Sequence, residues 1–106
     1  MWLLFDECID ERFRLLFPLH DCQTARFARL AGLKNGQLLD AAEAGGFDVL
    51  ITVDQSVPDQ QNLAGRKIAL LILRAPTNRL QDLKAIIPAA LSALRTIQPG
   101  EVVRIE

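Results

Sequence analysis

Two aspartates, Asp6 and Asp54, each follow an apolar run of the sequence. Asp6 comes after residues 2–5 (Trp-Leu-Leu-Phe), and Asp54 comes after residues 49–53 (Val-Leu-Ile-Thr-Val). Two carboxylates held close together repel each other, and a hard divalent cation such as Mg²⁺ or Mn²⁺ relieves the repulsion by taking their oxygens as ligands. Such a metal can activate water and neutralise charge on a phosphodiester. If the two runs form neighbouring strands, the pair therefore predicts a metal site for phosphodiester chemistry.

Aspartate also has an ordinary structural role at the end of a strand. Its short side chain favours turns and caps the next helix, so either residue alone is consistent with a turn. The pair is more informative, because both carboxylates follow apolar runs of the same character. Metal binding and turn formation are the two open interpretations of Asp6 and Asp54.

The hydrophobic pattern predicts the strands that would position this pair. Three apolar runs do not alternate with polar residues, which is typical of strands buried on both faces of a parallel sheet. These runs are residues 2–5, 49–53 and 68–73. Weaker strands are predicted at residues 21–25 and, after the turn signal Pro99-Gly100, at residues 102–105.

Helical periodicity fills the segments between these strands. Apolar residues three or four positions apart predict a short helix within residues 9–17, a second that ends at Gly45-Gly46, and a long one from about Asn78 to Ile97. Pro88 lies inside the long helix and is expected to kink or split it. Residues 56–65 predict a short helical piece that begins with an S-x-x-D capping pattern. The alternation predicts an α/β protein of three layers, with a mostly parallel four- to five-stranded sheet flanked by helices.

The composition is that of an ordinary globular protein. Half of the 106 residues are hydrophobic and 24% are charged, which suits a single domain over residues 1–106 and argues against disorder. The net charge is −1, so any binding of nucleic acid needs a local basic patch. No apolar run approaches the about 20 residues of a membrane span. With Cys8 and Cys22 read as reduced thiols, we expect a cytoplasmic protein without membrane association.

Positive charges occur in the segments after the second and fourth predicted strands. Parallel strands end at one edge of a sheet, so these segments are expected beside Asp6 and Asp54. Cations there would suit a phosphate backbone that reaches towards a metal, although solvated surface residues have the same pattern. The candidates are Arg26, Arg29, Lys34, Arg74 and Arg79. Gln55 begins an amide-rich stretch that is a further candidate for hydrogen bonds to nucleic acid.

Four motifs of the sequence resemble one protein family. They are Leu-Leu-Phe-Asp-Glu at 3–7, Gly-Leu-Lys-Asn-Gly at 32–36, Leu-Ile-Thr-Val-Asp-Gln at 50–55 and Gln-Gln-Asn-Leu-Ala-Gly-Arg at 60–66. Together they are similar to short bacterial PIN-like proteins, which are related to the toxins of toxin–antitoxin systems, and the likeness covers nearly the whole chain. The resemblance implies a PIN-like fold and cleavage of RNA by a cluster of three or four acidic residues that binds Mg²⁺ or Mn²⁺.

The resemblance also implies roles for four residues. By motif position, Asp6 and Asp54 match two of the acidic metal ligands, and Thr52 matches the hydroxyl residue of the Thr-x-Asp motif. Asn35 stands where many relatives carry another acidic residue, and its amide oxygen can bind a metal without adding charge. Asn35 precedes Gly36, so it also suits the cap of a helix.

Three interpretations of the function are open. The first is a metal-dependent endoribonuclease that cleaves single-stranded RNA, as the toxin component of a toxin–antitoxin system restrained by a small antitoxin protein. The second is a PIN-like module without catalysis that binds a partner protein or nucleic acid, which the missing third carboxylate favours. The third is a receiver-like phospho-acceptor that uses Asp54, but Arg74 stands where that interpretation needs a lysine. The wide apolar stripe of the predicted C-terminal helix further predicts a homodimer or a tight complex.

Overall fold

The computed structural model describes residues 1–77 and 79–106, which are built around a five-stranded sheet. The spatial order of the strands is β2-β1-β3-β4-β5, and every neighbouring pair is parallel. The strands are Trp2–Phe5 (β1), Asp21–Thr24 (β2), Val49–Thr52 (β3), Ala69–Leu73 (β4) and Val102–Ile105 (β5). The predicted α/β class and parallel sheet are confirmed, and the predicted ends of each strand lie within one residue of the observed ones.

The helices lie in the connections between the strands. A 3₁₀ helix spans Glu11–Leu16, and the α-helices of the described residues are Asn35–Ala44 (α1), Val57–Gln60 (α2), Leu80–Lys84 (α3) and Ile87–Leu94 (α4). The first helix is shorter than predicted, because the Asp10 side chain accepts a hydrogen bond from the Arg12 N–H (2.9 Å) and so begins the helix only after residue 10. No helix in the described part of the chain is long and apolar enough to cross a membrane.

The predicted long C-terminal helix is divided in two. Pro88 lies in the first turn of α4, where a proline needs no hydrogen-bond partner for its missing N–H. The break between α3 and α4 therefore follows from Pro88, as the sequence predicts. Asn78, the predicted start of this helix, lies outside the described residues.

The order of the strands changes direction at β1. The chain places β2 on one side of β1 and β3 on the other, with Leu4 of β1 level with Leu50 of β3. Open α/β sheets bind ligands at such a switch point, beyond the carboxyl ends of the strands. Because Asp6 follows β1 and Asp54 follows β3, the sequence-based expectation that these two strands are neighbours is confirmed.

Two separate clusters of buried side chains cover the two faces of the sheet. Leu3, Phe5 and Ile51 pack with residues of the 3₁₀ helix, α3 and α4 on one face. Leu4 and Leu50 pack with residues of α1 on the other. Because neighbouring strand residues point to opposite faces, both sides must be apolar, which is why these runs do not alternate. The predicted three layers are present.

The apolar stripe of α4 is covered largely by the chain itself. Ala90 and Leu94 are buried, and Ile87 and Leu91 pack against the same core. No large hydrophobic residue of α4, the whole of which is described, is exposed. The width of the stripe is thus explained by packing within the chain, and the expectation of a partner on this helix loses its basis.

Leu83 attaches α3 to the sheet, since it is the buried residue of that helix. Leu83→Ala should lower the free energy of unfolding by about 2–5 kcal/mol, because it removes buried contacts and leaves a cavity. Gln81→Ala, at an exposed position of the same helix, is the matched control and should change stability by less than about 0.5 kcal/mol. Denaturant titrations measure both values. Equal stabilities of the two variants would show that α3 is not docked as described.

Candidate functional site

Thr52 connects the two aspartates at the carboxyl ends of β1 and β3. Its hydroxyl donates to Oδ2 of Asp6 (2.8 Å) and accepts from the backbone N–H of Asp54 (3.1 Å). The Thr52 side chain is completely buried, so its hydroxyl depends on protein partners. The structure therefore brings Asp6, Thr52 and Asp54 together through one hydroxyl group.

The Asp54 carboxylate accepts hydrogen bonds on both oxygens. Oδ1 accepts from the N–H (2.9 Å) and the hydroxyl (2.6 Å) of Ser56, and Oδ2 accepts from Nδ2 of Asn35 (3.3 Å). The Ser56 donors, with a smaller effect from Asn35, lower the pKa of Asp54 below its ordinary value. The predicted side-chain cap by Ser56 is absent from α2, because its hydroxyl turns back to Asp54. Asp54 is therefore an ionised turn residue at neutral pH.

Asn35 reaches Asp54 from the start of α1. It is the first residue of the helix rather than its cap, which is Lys34. The cap lies one position earlier than predicted because Oε1 of Gln37 accepts the N–H of Lys34 (3.4 Å). The Asn35 Nδ2 donates to Asp54 and also to Oε1 of Gln60, both at 3.3 Å. All four predicted catalytic residues, Asp6, Thr52, Asp54 and Asn35, thus form one chain of hydrogen bonds.

Asp6 and the neighbouring Glu7 have different surroundings. Oδ1 of Asp6 accepts the Glu7 N–H (2.8 Å), while the Glu7 carboxylate accepts the Gly32 N–H with both oxygens (3.2 Å each). Gly32 has a φ of 86°, a conformation that glycine adopts without strain. Glu7 therefore holds the loop that follows β2 against the end of β1 and is not directed at Asp54.

Cys8 is a part of the crevice to which the sequence analysis assigns no role. Burial, and to a smaller extent the charge of Asp6, raise the pKa of its thiol, against hydrogen bonding to Val53 and Thr52. The thiol is protonated at neutral pH and is a soft group that hard cations do not prefer. In the sequence, the only indication that Cys8 lies beside Thr52 is that Cys8 follows Asp6 by two residues.

The oxygens of the crevice fit a hydrated divalent cation. The described residues hold no group of three or more His, Cys, Asp or Glu side chains arranged to bind a metal. Mg²⁺ is, however, commonly bound by one or two carboxylates, with water and substrate phosphate as its other ligands. A carboxylate oxygen accepts two hydrogen bonds, so Oδ2 of Asp54 and both oxygens of Asp6, with one each, keep acceptor capacity. The donor set suits a weakly held Mg²⁺ or Mn²⁺ rather than a closed metal cage.

The loop after β2 carries three of the predicted cations. Arg26, Arg29 and Lys34 all have exposed side chains, and Arg26 lines a cleft together with Glu7. Arg29 has a φ of 63°, which for a residue other than glycine has a strain of about 1 kcal/mol. Glu7 holds this loop, at Gly32, against the end of β1, which Asp6 follows.

The other two predicted cations follow β4. Arg74 is exposed and pairs with Glu106 at 3.4 Å, and such a solvated ion pair contributes little to stability. Arg79 is exposed and precedes α3 as its cap residue. Arg74 directly follows β4, at the carboxyl edge of the sheet where Asp6 and Asp54 follow their strands, and both arginines are exposed.

Gln55 has a structural contact that narrows its predicted role. Its Nε2 donates to the carbonyl oxygens of Val53 (3.2 Å) and Leu73 (3.1 Å), which joins the ends of β3 and β4. The remaining Oε1 is an acceptor and has no attraction for phosphate oxygens. Any contact of Gln55 Oε1 with RNA would therefore be to a hydrogen-bond donor, such as a base N–H or a ribose 2′-hydroxyl.

No protein-family model, curated protein or solved structure matches this chain. The functional argument consequently depends on the crevice between β1 and β3 and on the residues that line it. These residues supply two carboxylates joined through a buried hydroxyl, an amide and a protonated thiol.

The hydrogen bonds to Asp54 make its contribution to stability dependent on pH. Its pKa is lower in the folded state, so the contribution is present above about pH 4, where an unfolded aspartate titrates, and is lost as pH falls through the folded-state pKa. Asp54→Asn should lower the free energy of unfolding near neutral pH by about 1 kcal/mol, with the difference shrinking in acid.

Urea titrations across this pH range measure the effect. Asp59→Asn, which removes an exposed carboxylate from α2, is the matched control and should change stability little. If the free energy of unfolding of Asp54→Asn stayed below that of the wild type by the same amount as the pH fell, the hydrogen bonds to the ionised Asp54 carboxylate would not be the cause of the difference.

Proposed function

We propose that this protein is a metal-dependent endoribonuclease of the PIN-like type that cleaves single-stranded RNA at the crevice between β1 and β3. One observation carries the proposal: Asp6 and Asp54 follow neighbouring strands at the switch point and are linked through the buried Thr52 hydroxyl. Ligands of open α/β sheets bind at this position. Two of the four motifs that resemble PIN-like proteins, at 3–7 and 50–55, contain the same residues, which supports the proposal independently of the geometry.

The chain's own residues would hold and orient a divalent cation. Asp6 and Asp54 would bind Mg²⁺ or Mn²⁺ through the oxygens that keep acceptor capacity. When bound, such an ion lowers the pKa of a coordinated water and neutralises charge on the phosphodiester. Thr52 fixes the Asp6 carboxylate through its 2.8 Å hydrogen bond, and Asn35 fixes Oδ2 of Asp54. The amide oxygen of Asn35 is then the group that would orient a water or a ligand.

The cations at the same edge would bind the RNA backbone. A protein of net charge −1 has no overall attraction for RNA, so the interaction must come from these local charges. They follow β2 and β4, the strands that flank β1 and β3 in the sheet. The residues are Arg26, Arg29, Lys34, Arg74 and Arg79. A flexible single strand could contact both sides while one phosphodiester lies at the aspartates.

The biological setting is proposed from the resemblance alone. A PIN-like ribonuclease of this size would act as the toxin of a toxin–antitoxin system, with a small antitoxin protein as its inhibitor. Its RNA substrates would make it a cytoplasmic enzyme. An antitoxin that covered the crevice would block the aspartates and the surrounding cations together.

A second candidate function has its own supporting observation. The crevice contains two carboxylates instead of three or four, and one oxygen of Asp54 is already occupied by two hydrogen bonds. These features suit a PIN-like module that binds RNA or a protein without catalysis. RNA binding that is retained in all metals without cleavage would favour this candidate.

Purified protein should cleave a labelled single-stranded RNA in Mn²⁺, and a chelator should stop the reaction. Asp6→Asn and Asp54→Asn should each lower the rate by about 100-fold or more, because each removes a charge from the proposed metal site. Asp59→Asn removes a carboxylate from α2 outside the crevice and should keep the wild-type rate. Cleavage that survives both substitutions in the crevice would show that another site, or a contaminating nuclease, is responsible.

A further inference from the structure

A cavity lies next to Asp54, between the carboxyl ends of β3 and β4. Its volume is about 280 Å³, and it is lined by Gln55, which directly follows Asp54 in the chain. Consecutive Cα atoms are about 3.8 Å apart, so the cavity begins within one residue of this proposed metal ligand. The volume is at the lower end of the range for small-ligand sites and suits a single ring system. The other lining residues are Val53, Leu73, Arg74, Ala75 and Thr77.

The side-chain amide of Gln55 is fixed in one orientation. Its Nε2 uses both hydrogens on carbonyl oxygens, those of Val53 (3.2 Å) and Leu73 (3.1 Å). A reversed amide would place Oε1 against these two oxygens and lose both hydrogen bonds. Oε1 has no hydrogen-bond donor among the described residues, where no buried side-chain oxygen lacks a partner, so Oε1 is open to solvent. The Gln55 side chain therefore has an acceptor but no donor left for a ligand.

The rest of the lining is largely aliphatic. Val53, Leu73 and Ala75 are wholly or partly buried and pack against the core of the same sheet face. The Thr77 hydroxyl donates to a carboxylate of α3 and so keeps no donor for a ligand. Arg74 is exposed and supplies a positive charge. The cavity thus combines apolar walls with one fixed acceptor and one cation.

A second cavity begins one residue after Asp6, but its charges differ. It is lined by Glu7 and Glu11 together with Arg26. Two carboxylates repel a phosphate backbone, and the single arginine offsets only one of them. The cavity at Gln55 has Arg74 and no carboxylate in its lining. An RNA strand at the crevice therefore meets less repulsion at the cavity beside Asp54.

We propose that this cavity binds one base of the RNA strand, beside the phosphodiester at the aspartates, and that it prefers bases with an exocyclic amine. Cytosine, adenine and guanine carry such an amine, which donates N–H groups, whereas uracil has a carbonyl oxygen in its place. Oε1 of Gln55 accepts from the amine, the aliphatic walls contact the ring, and Arg74 binds an adjacent phosphate. Proteins that recognise RNA sequence mostly read unpaired bases, whose edges are free. The proposal rests on RNA as the substrate of the crevice and adds a base preference to it.

Two matched oligonucleotides test this preference. Oligocytidine and oligouridine of equal length have the same backbone charge and the same ring system, but only cytosine carries an exocyclic amine. The wild type should bind oligocytidine about fivefold or more tightly than oligouridine, which corresponds to one hydrogen bond. Fluorescence anisotropy of labelled oligonucleotides measures both dissociation constants. The titrations contain no divalent cation, so cleavage does not interfere.

Two variants remove the preference in different ways. Gln55→Leu removes Oε1, and the two oligonucleotides should then bind alike within about twofold. This variant also loses the hydrogen bonds to two carbonyl oxygens, so a second variant, Ala75→Leu, fills the cavity while it keeps Gln55. It should abolish the preference as well.

Gln98→Leu is the matched control. Gln98 is an exposed glutamine outside the cavity, and its Nε2 also donates to a backbone carbonyl oxygen, that of Thr96 (3.2 Å). This variant should keep the preference of the wild type. Circular dichroism checks that every variant is folded.

Several outcomes would overturn the base site. A wild type that binds oligouridine as tightly as oligocytidine excludes it and leaves the ribose 2′-hydroxyl, which both oligonucleotides share, as the donor for Gln55. A preference that survives in either folded cavity variant places base recognition elsewhere, and a wild type that binds neither oligonucleotide excludes RNA from this edge. Cleavage of the same oligonucleotides in Mn²⁺ tests the nuclease separately. Cleavage without a base preference overturns the base site alone, whereas preferential binding of oligocytidine without cleavage overturns catalysis and keeps the base site.

Discussion

The hydroxyl of Thr52 is the contact on which the crevice depends. Every other residue of β3 is aliphatic and serves the core, whereas Thr52 is buried and uses its hydroxyl to join the loops that carry Asp6 and Asp54. An apolar residue of the same shape would leave the Asp54 N–H and one oxygen of Asp6 without this partner. The parallel order of the sheet makes the contact possible, because β1 and β3 are neighbours whose carboxyl ends meet at the same edge of the sheet. Fold and candidate site are thus connected through a single side chain.

The two interpretations of Asp54 are compatible in this geometry. Oδ1 accepts both bonds from Ser56 and forms the turn, while Oδ2 accepts one bond from Asn35 and keeps capacity for a further ligand. The donors that stabilise the turn also keep the carboxylate ionised, as a cation site requires. In the proposed function, a divalent cation on these two carboxylates would take its other ligands from water and from the phosphate of a substrate.

Sequence patterns predict the sheet well because its strands are buried on both faces, which requires unbroken apolar runs. They also predict the break at Pro88, since the missing N–H acts locally. The details of the site depend instead on which of several nearby hydrogen-bond partners each polar side chain contacts. Gln37 moves the helix cap from Asn35 to Lys34, and the Ser56 hydroxyl turns back to the carboxylate before it.

A divalent cation between Asp6 and Asp54 is directly observable by backbone amide NMR with substoichiometric Mn²⁺, whose unpaired electrons broaden the signals of nearby nuclei. Broadening should be strongest for the amides of Glu7 and Ser56, which bond to the two carboxylates, and should disappear in Asp6→Asn. Uniform broadening, or broadening centred on an acidic surface residue such as Glu43, would contradict a cation site at the β1/β3 crevice.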